Sequence, residues 1–295
     1  MPSLLWAGFH PPLFTHDSFR PSRFEQNDGV LELTTGDVNK SVYLREDVAR
    51  AYAMEHDLHA WERAVLNRLK PDVAGFPILD IGVGGGRTTP AMLALSTDYL
   101  GIDYSGAMIA ECRKQFPGVG FEVCDARNIT HLGLGHFGFA WFSYNGIDNL
   151  SHADRHTVLQ QVHAILRPGG YFFFSSHNIL GAREYPWEVG HWPYEWNGGL
   201  SNLISSAGLM MRSIANYVRL SGYQEEHETH AIRLDSGHEY SCPQYYINPI
   251  DQVRILNSMG FVNVQAMGWS GVPNPPDSEA VRSAGHVIYL ARKPS

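Results

Sequence analysis

One nine-residue stretch, Ile78-Leu79-Asp80-Ile81-Gly82-Val83-Gly84-Gly85-Gly86, constrains the fold more than any other part of the chain. An apolar run carries an acid and then breaks into glycines at two-residue spacing. This reads as a strand entering a turn whose backbone comes close to a ligand, because only glycine permits that approach and takes positive φ at little cost. Open α/β sheets bind their ligands at the carboxyl ends of the strands. The stretch therefore predicts an α/β chain with a nucleotide-type cofactor at its first strand-to-helix turn, contacted by Asp80, Gly82, Gly84 and Gly86. The dinucleotide fingerprint fails, because its sixth position counted from Gly82 is Arg87, and no Gly-Lys-Ser/Thr follows to make a P-loop.

Downstream residues repeat the pattern. Tyr99-Leu100-Gly101-Ile102-Asp103 is a second apolar run ending in an acid, 23 residues after Asp80, the length of one strand–helix–strand step. An acid at the end of a second strand can accept both hydroxyls of a ribose. A third run, Phe121-Glu122-Val123-Cys124-Asp125-Ala126, puts its acid 22 residues further on. Phe137 to Tyr144 is an aromatic strand, followed by Asn145-Gly146-Ile147-Asp148-Asn149. Ser151 to Asp154 has capping-box spacing. A helix then runs through Val158, Leu159, Val162, Ile165 and Leu166 at helical period. Arg167-Pro168-Gly169-Gly170 stops it before the strand Tyr171 to Ser176.

The turn Asp-x-Gly-x-Gly-x-Gly resembles motif I of the class I S-adenosylmethionine (SAM)-dependent methyltransferases. Leu-Arg-Pro-Gly-Gly before an aromatic strand is similar to that family's approach to its fifth strand. The resemblance covers about residues 76–177 strongly and the last fifty weakly. It implies a doubly wound, mostly parallel seven-stranded sheet with the last strand antiparallel, SAM as cofactor and S-adenosylhomocysteine (SAH) as product. Carried onto this sequence, it places Asp80 at the amino-acid end of SAM, directly or through water, and the three glycines beside the methionine portion. Asp103 takes the ribose hydroxyls, Tyr104 and Met108 lie beside the adenine, and Asp125 and Ala126 meet its edge. Ser143 to Asn145 line the methyl-donor side. In this superfamily the segment before the first strand often closes over SAM, which makes Tyr43 either a cofactor contact or a packing residue.

Composition limits the partners. The 295 residues carry a net charge of -8, which argues against a broad cationic surface for nucleic acid. Three cysteines, Cys112, Cys124 and Cys242, form no C-x-x-C pair, so neither a disulfide framework nor a cysteine-based zinc site is expected, and a reducing compartment fits. Met1 to Leu13 lacks a basic n-region and is interrupted by prolines. No apolar run reaches the length of a membrane span. The expectation is a cytoplasmic protein with a small-molecule substrate and no nucleic-acid or membrane partner.

Three regions are expected. Residues 1–41 read as an N-terminal arm, either a lid over the substrate or a segment packing on the core or pairing in a homo-oligomer. Residues 42–176 and 246–295 read as the Rossmann-like core. Residues 177–245 break the alternation and read as an inserted substrate cap, because about 70 residues is too long for a plain connection. Residues 209–220 fit a helix or a strand equally.

Methyl transfer from a sulfonium needs a nucleophile placed opposite the methyl group, and a general base only where that nucleophile carries a proton. Asn145 after the fourth strand and His177 after the fifth are the catalytic candidates, with His177 as base or orienting donor, or else as a strand-end cap. Asn178, Trp187, Trp192, Trp196, His227, His230, Tyr245 and Tyr246 are the substrate-side candidates. The tryptophans suit a planar or cationic acceptor, or pack the cap. His227 and His230 would share a face if helical. With His238 and Glu239 they offer a histidine–carboxylate metal set, but a polar cap surface explains them as well and no metal is assigned. The overall reading is a SAM-dependent methyltransferase acting on nitrogen or oxygen of a small organic acceptor. The alternatives are a SAM-binding enzyme of another class on the same fold, metal-assisted or a cyclase or isomerase, and a non-catalytic SAM-binding subunit.

Overall fold

A computed structural model describes residues 34–181, 183–188 and 199–295, with side chains from 206 onward in the last segment. In chain order the elements are α1 (Thr35–Tyr43), α2 (Glu46–Tyr52), α3 (Ala60–Val73), β1 (Ile78–Ile81), α4 (Thr89–Leu93), β2 (Tyr99–Asp103), α5 (Gly106–Gln115) and β3 (Gly120–Val123). There follow β4 (Phe137–Phe142), α6 (His152–Ile165), β5 (Leu166–Asn178), α7 (Gly199–Leu220), β6 (Glu225–Glu226), β7 (His230–Leu234) and β8 (Pro243–Ile247). The chain closes with α8 (Pro249–Ser258), β9 (Val262–Met267), β10 (Pro273–Asn274), α9 (Glu279–Arg282) and β11 (His286–Arg292).

The sheet runs β10-β9-β11-β5-β4-β1-β2-β3. From β3 to β5 the pairings are parallel, while β11 is antiparallel to both β5 and β9. The seven strands β3-β2-β1-β4-β5-β11-β9 are thus the class I arrangement. β10 adds an edge, and β6, β7 and β8 bring the sheet to eleven strands.

Alternation along the central strands explains the two cores. Every residue of β1 and β4 is buried, as expected of strands covered by helices on both faces. Successive side chains point to opposite faces. Leu79, Ala140, Phe172 and Phe174 pack on one side with Val158 and Leu159 of α6. Ile78, Phe139, Trp141 and Phe173 pack on the other with Val65 and Leu69 of α3. Trp141 and Phe173 stack at 3.7 Å between ring centroids.

The segment around 35–43 is a capped helix: Thr34 and Asp37 form a reciprocal capping box. The expected boundary after residue 41 therefore falls inside α1, and the rest of the expected arm, residues 1–33, lies outside the described residues. Residues 209–220 belong to the 22-residue α7. Among the described residues between β5 and α8, β8 pairs in parallel with the end of β5, His177 opposite Tyr246, and β7 pairs antiparallel with β8. His227 and His230 are not on a helix. They bracket the turn between β6 and β7, where the His227 amide donates to the His230 carbonyl at 2.9 Å. Among the described residues no helix is long and apolar enough to cross a membrane.

Candidate functional site

A cavity opens at the carboxyl ends of β1, β2 and β4, and its walls hold Tyr43, Asp80, Gly82, Gly84, Asp103, Tyr104, Met108, Asp125, Ala126 and Ser143. The turn after β1 takes φ of +62° at Gly82 and +56° at Gly84, the left-handed region that a side chain resists. Gly85 is required for a different reason. A Cβ there would lie 2.4 Å from the backbone of Tyr52 and Ala53, so the end of α2 can rest directly on the turn. Gly86 also has positive φ, but its Cβ would collide with the Phe116 ring at 2.7 Å, and it does not line the cavity. Expected beside the methionine portion, Gly86 thus stands behind the cavity wall, where the Phe116 ring leaves no room for a side chain.

Two acids shape the cavity. Asp103 accepts from the Gly84 amide at 3.1 Å and the Ser105 amide at 2.8 Å, which fixes both carboxylate oxygens between the first and second turns. Burial pushes its carboxyl up to about 6. Asp80 accepts from Thr88 Oγ1 at 2.5 Å and Tyr99 OH at 3.0 Å, both on Oδ2. Among the described residues no cation is in hydrogen-bond contact with it, and burial, only partly offset by those bonds, pushes its carboxyl up to about 7. Ser105 caps α5 through the Met108 amide and donates its hydroxyl to the Tyr43 carbonyl at 3.0 Å, which draws the end of α1 over the cavity. Asp125 is held by Arg127 at 3.0 and 2.7 Å, with Lys40 at 3.6 Å, and the Arg127 bonds keep its carboxyl below the ordinary range.

A buried pair braces this rim. Glu62 on α3 is fully buried and takes a two-armed bond from Arg87, at 2.5 and 2.8 Å, as well as the Ser143 hydroxyl. Ser143 is thus anchored through its side chain. Glu62 stands at the third position of α3, where its other bond, from the His59 amide at 2.7 Å, is a capping contact.

Past β4, Tyr144 and Asn145 have φ of +54° and +56°, two strained non-glycine residues in succession. The Asn145 amide donates to Ser175 Oγ at 2.9 Å, and its side-chain Nδ2 lies 3.2 Å from His177 Nε2. Asn145 Oδ1 is buried without a partner. Asp148, fully buried, accepts from the His177 amide at 2.6 Å and faces His177 Nδ1 at 2.8 Å. A carboxylate only accepts, so Nδ1 carries a proton, and in the neutral ring Nε2 presents its lone pair. On the far side Asp235 Oδ2 lies 3.6 Å from Nε2 and accepts from Tyr246 OH at 2.8 Å. Burial opposes a charged His177 ring, but the Asp148 bond outweighs it and the net shift is upward.

Residues 78–170 match a family model described as a methyltransferase domain. Residues 78–170 form a methyltransferase domain. SAM is the cofactor of such domains. Among curated proteins the chain is 29% identical over 133 residues to the demethylmenaquinone methyltransferase of Beutenbergia cavernae, covering 42% of this chain and 52% of that protein. It is 28% identical over 151 residues to the ubiquinone biosynthesis O-methyltransferase of Ruegeria pomeroyi, covering 46% and 60%. The matched stretch therefore spans only a little over half of those relatives. Among solved structures, the 1,6-didemethyltoxoflavin-N1-methyltransferase of Burkholderia thailandensis superposes with a TM-score of 0.51 at 16% identity, over 91% of this chain and 94% of that one. A SAM-dependent methyltransferase of Mesorhizobium loti gives 0.52 at 20% identity, over 79% and 98%. At those identities the likeness is one of fold.

Around the methyltransferase domain the substrate-side candidates separate. β8 alternates, so Tyr246 faces His177 and their rings lie 4.8 Å apart, while Tyr245 points through the other face. There the Tyr245 hydroxyl meets His152 Nδ1 at 2.7 Å, and the His230 ring stacks between His152 and His227 at 4.1 and 4.4 Å. Tyr245, His227 and His230, expected on the substrate side with Tyr246, thus lie together on the face of the sheet away from His177. Asn178 is also corrected. The two N–H groups of its Nδ2 are shared among the carbonyls of Val281, Arg282 and Ala284, and its Oδ1 accepts from the Leu180 amide, so the side chain ties the end of β5 to the segment after α9 and has no N–H to offer a substrate. Trp187 packs on Tyr185 and on Tyr217 of α7, away from the cavity walls. Trp192 and Trp196 lie outside the described residues. Sequence reasoning missed Glu62, Arg87, Asp148 and Asp235. Only Asp148 carried a local signal, three residues beyond Asn145 at the end of the fourth strand.

Proposed function

We propose that this chain transfers a methyl group from SAM to nitrogen or oxygen of a small organic acceptor. The observation that carries the reading is the convergence of Asp80, the glycine turn, Asp103, Tyr104, Met108, Asp125, Ala126 and Ser143 on one cavity. Bound there, SAM supplies an electrophilic methyl group on its sulfonium. The chain's own work is to hold it and to present the acceptor. Asp103, already oriented by two amides, would receive the ribose hydroxyls. Asp80 would receive the ammonium of the amino-acid end. Asp125 would meet the adenine edge with the lone pairs that Arg127 leaves open.

The Asp80 assignment has a proton signature. Its carboxyl sits at about 7, so a sizeable fraction is protonated near neutrality. An ammonium beside it favours the anion and lowers that pKa. SAM binding at pH near 7 should therefore release a fraction of a proton, and affinity should fall as the pH drops below about 7. Titration calorimetry in two buffers of different ionisation enthalpy measures the release. Equal observed heats in the two buffers, or the same release in Asp80→Asn, would remove Asp80 from this role.

On the acceptor side, His177 Nε2 would take the proton of a hydroxyl or N–H as the methyl group transfers, with Asp148 fixing the tautomer. Asn145 and Asp235 border the same nitrogen. The relatives named for demethylmenaquinone and for ubiquinone biosynthesis make quinol-type phenols the first acceptors to test. SAH release should drop about 100- to 10,000-fold in His177→Ala with SAM affinity unchanged. The base works as the neutral ring and its pKa is raised, so kcat/KM should climb with pH through a limb above 6.5. A His177→Ala enzyme with full turnover, or a profile with no such limb, would overturn this role.

A further inference from the structure

We infer that Glu122, Cys124 and His131 form a divalent metal site on the edge strand, where Cys124 also lines the cofactor cavity, and the inference does not rest on the methyl-transfer reading. Among the described residues this is the group of histidine, cysteine and carboxylate side chains whose ligand atoms all approach within 4.8 Å of one another. The chain places them by simple means. Glu122 and Cys124 are two residues apart along β3 and its extension, where the Cys124 amide still donates to the Asp103 carbonyl, so their side chains leave the same face. His131 comes from the short helical turn Thr130–Leu132 that folds back beside β3.

The hydrogen bonds of His131 give the second argument. Its Nδ1 lies 2.7 Å from the Asn128 carbonyl oxygen, which can only accept, so Nδ1 carries the proton. In the neutral ring Nε2 is then a lone pair, and it points at Glu122 Oε1 from 3.0 Å. Two acceptors at that distance need a positive charge between them: a second proton on the ring or a metal ion. An Nδ1–H bonded to a backbone carbonyl is also the usual outer support of a histidine that ligates through Nε2. Cys124 favours the metal. Its sulfur is buried yet makes only long contacts, 3.5 Å to the Asp125 carbonyl and 3.8 Å to that of Asn128. One sulfur, one imidazole nitrogen and one carboxylate oxygen suit a borderline-soft ion such as Zn(II), with a fourth position open to water. On binding, the Cys124 S–H bond breaks and its proton goes to solvent as the metal–sulfur bond forms. A proton held on His131 Nε2 leaves in the same way.

The test uses Co(II) on the full-length protein with a non-chelating reductant. One Co(II) per chain and a thiolate-to-cobalt charge-transfer band in the near ultraviolet are expected. Cys124→Ser should abolish the band. His131→Asn, at a half-exposed position, should keep the fold and weaken Co(II) binding by about 10-fold or more. Absence of the band in the unaltered protein, or equal Co(II) affinity in His131→Asn, would overturn the site and leave Glu122 and His131 as an ion pair with a doubly protonated ring.

Discussion

Arg155→Ala should lower the midpoint of thermal unfolding by about 10 °C, at roughly 3–5 kcal/mol for a broken buried ion pair and 2–4 °C per kcal/mol for a chain of this size. Arg155 is 2% exposed and Asp148 is fully buried, so neither charge can turn to water when its partner is lost. The guanidinium ties four parts of the fold together. From α6 it reaches Asp148 in the turn after β4, Ser176 Oγ on β5 at 3.2 Å, Gln252 Oε1 on α8 at 2.7 Å, and the Tyr245 ring on β8 at 4.3 Å. Asp148 keeps the Ser176 hydroxyl and the two His177 donors in the variant, which holds the cost within that range. Adding Asp148→Asn should recover part of the loss by removing the orphaned charge. Calorimetry or a circular-dichroism melt decides it: a shift below about 2 °C would mean that water reaches the pair.

Asp103→Ala should weaken SAM and SAH binding by about 100- to 10,000-fold, the sum of two hydrogen bonds to a charged acceptor at roughly 1.5–3 kcal/mol each. The carboxylate is oriented before any ligand arrives, because Gly84 and Ser105 hold one oxygen each. Those amides lose their acceptor in the variant, so a melt must accompany the binding measurement. Asp103→Asn retains one acceptor oxygen and should fall between. Equilibrium dialysis with SAH is the direct readout. Binding within threefold of the unaltered protein would remove Asp103 from the ribose role.

Much of the cavity at the strand ends was legible because it is local. A strand entering a glycine turn, and acids at successive strand ends 23 and 22 residues apart, are consequences of one repeated strand–helix unit, and their side chains emerge at one edge of the sheet without reference to distant segments. Gly86 shows the limit of that reasoning. Its positive φ belongs to the turn, but what sits over it is Phe116, thirty positions along the chain. The surroundings of His177 were less legible. His177 and Tyr246 were both singled out, yet their facing depends on β8 docking beside the end of β5. The same docking sends Tyr245, His227 and His230 to the opposite face, where imidazoles stack on one another. Asn178 is spent on three carbonyls near α9 that no local pattern announces.

From its own pattern, then, the chain determined the alternation of strands and helices, the conformation of the glycine turn and the acids at the strand ends. These are set by side-chain period, glycine sterics and capping, which act over a few residues. Only the tertiary structure decided which buried charges meet. Glu62 finds Arg87 across 25 positions, and Arg155 finds Gln252 across 97. A buried charge must be paired, and its partner is chosen by the three-dimensional packing of distant elements, not by neighbours in the chain.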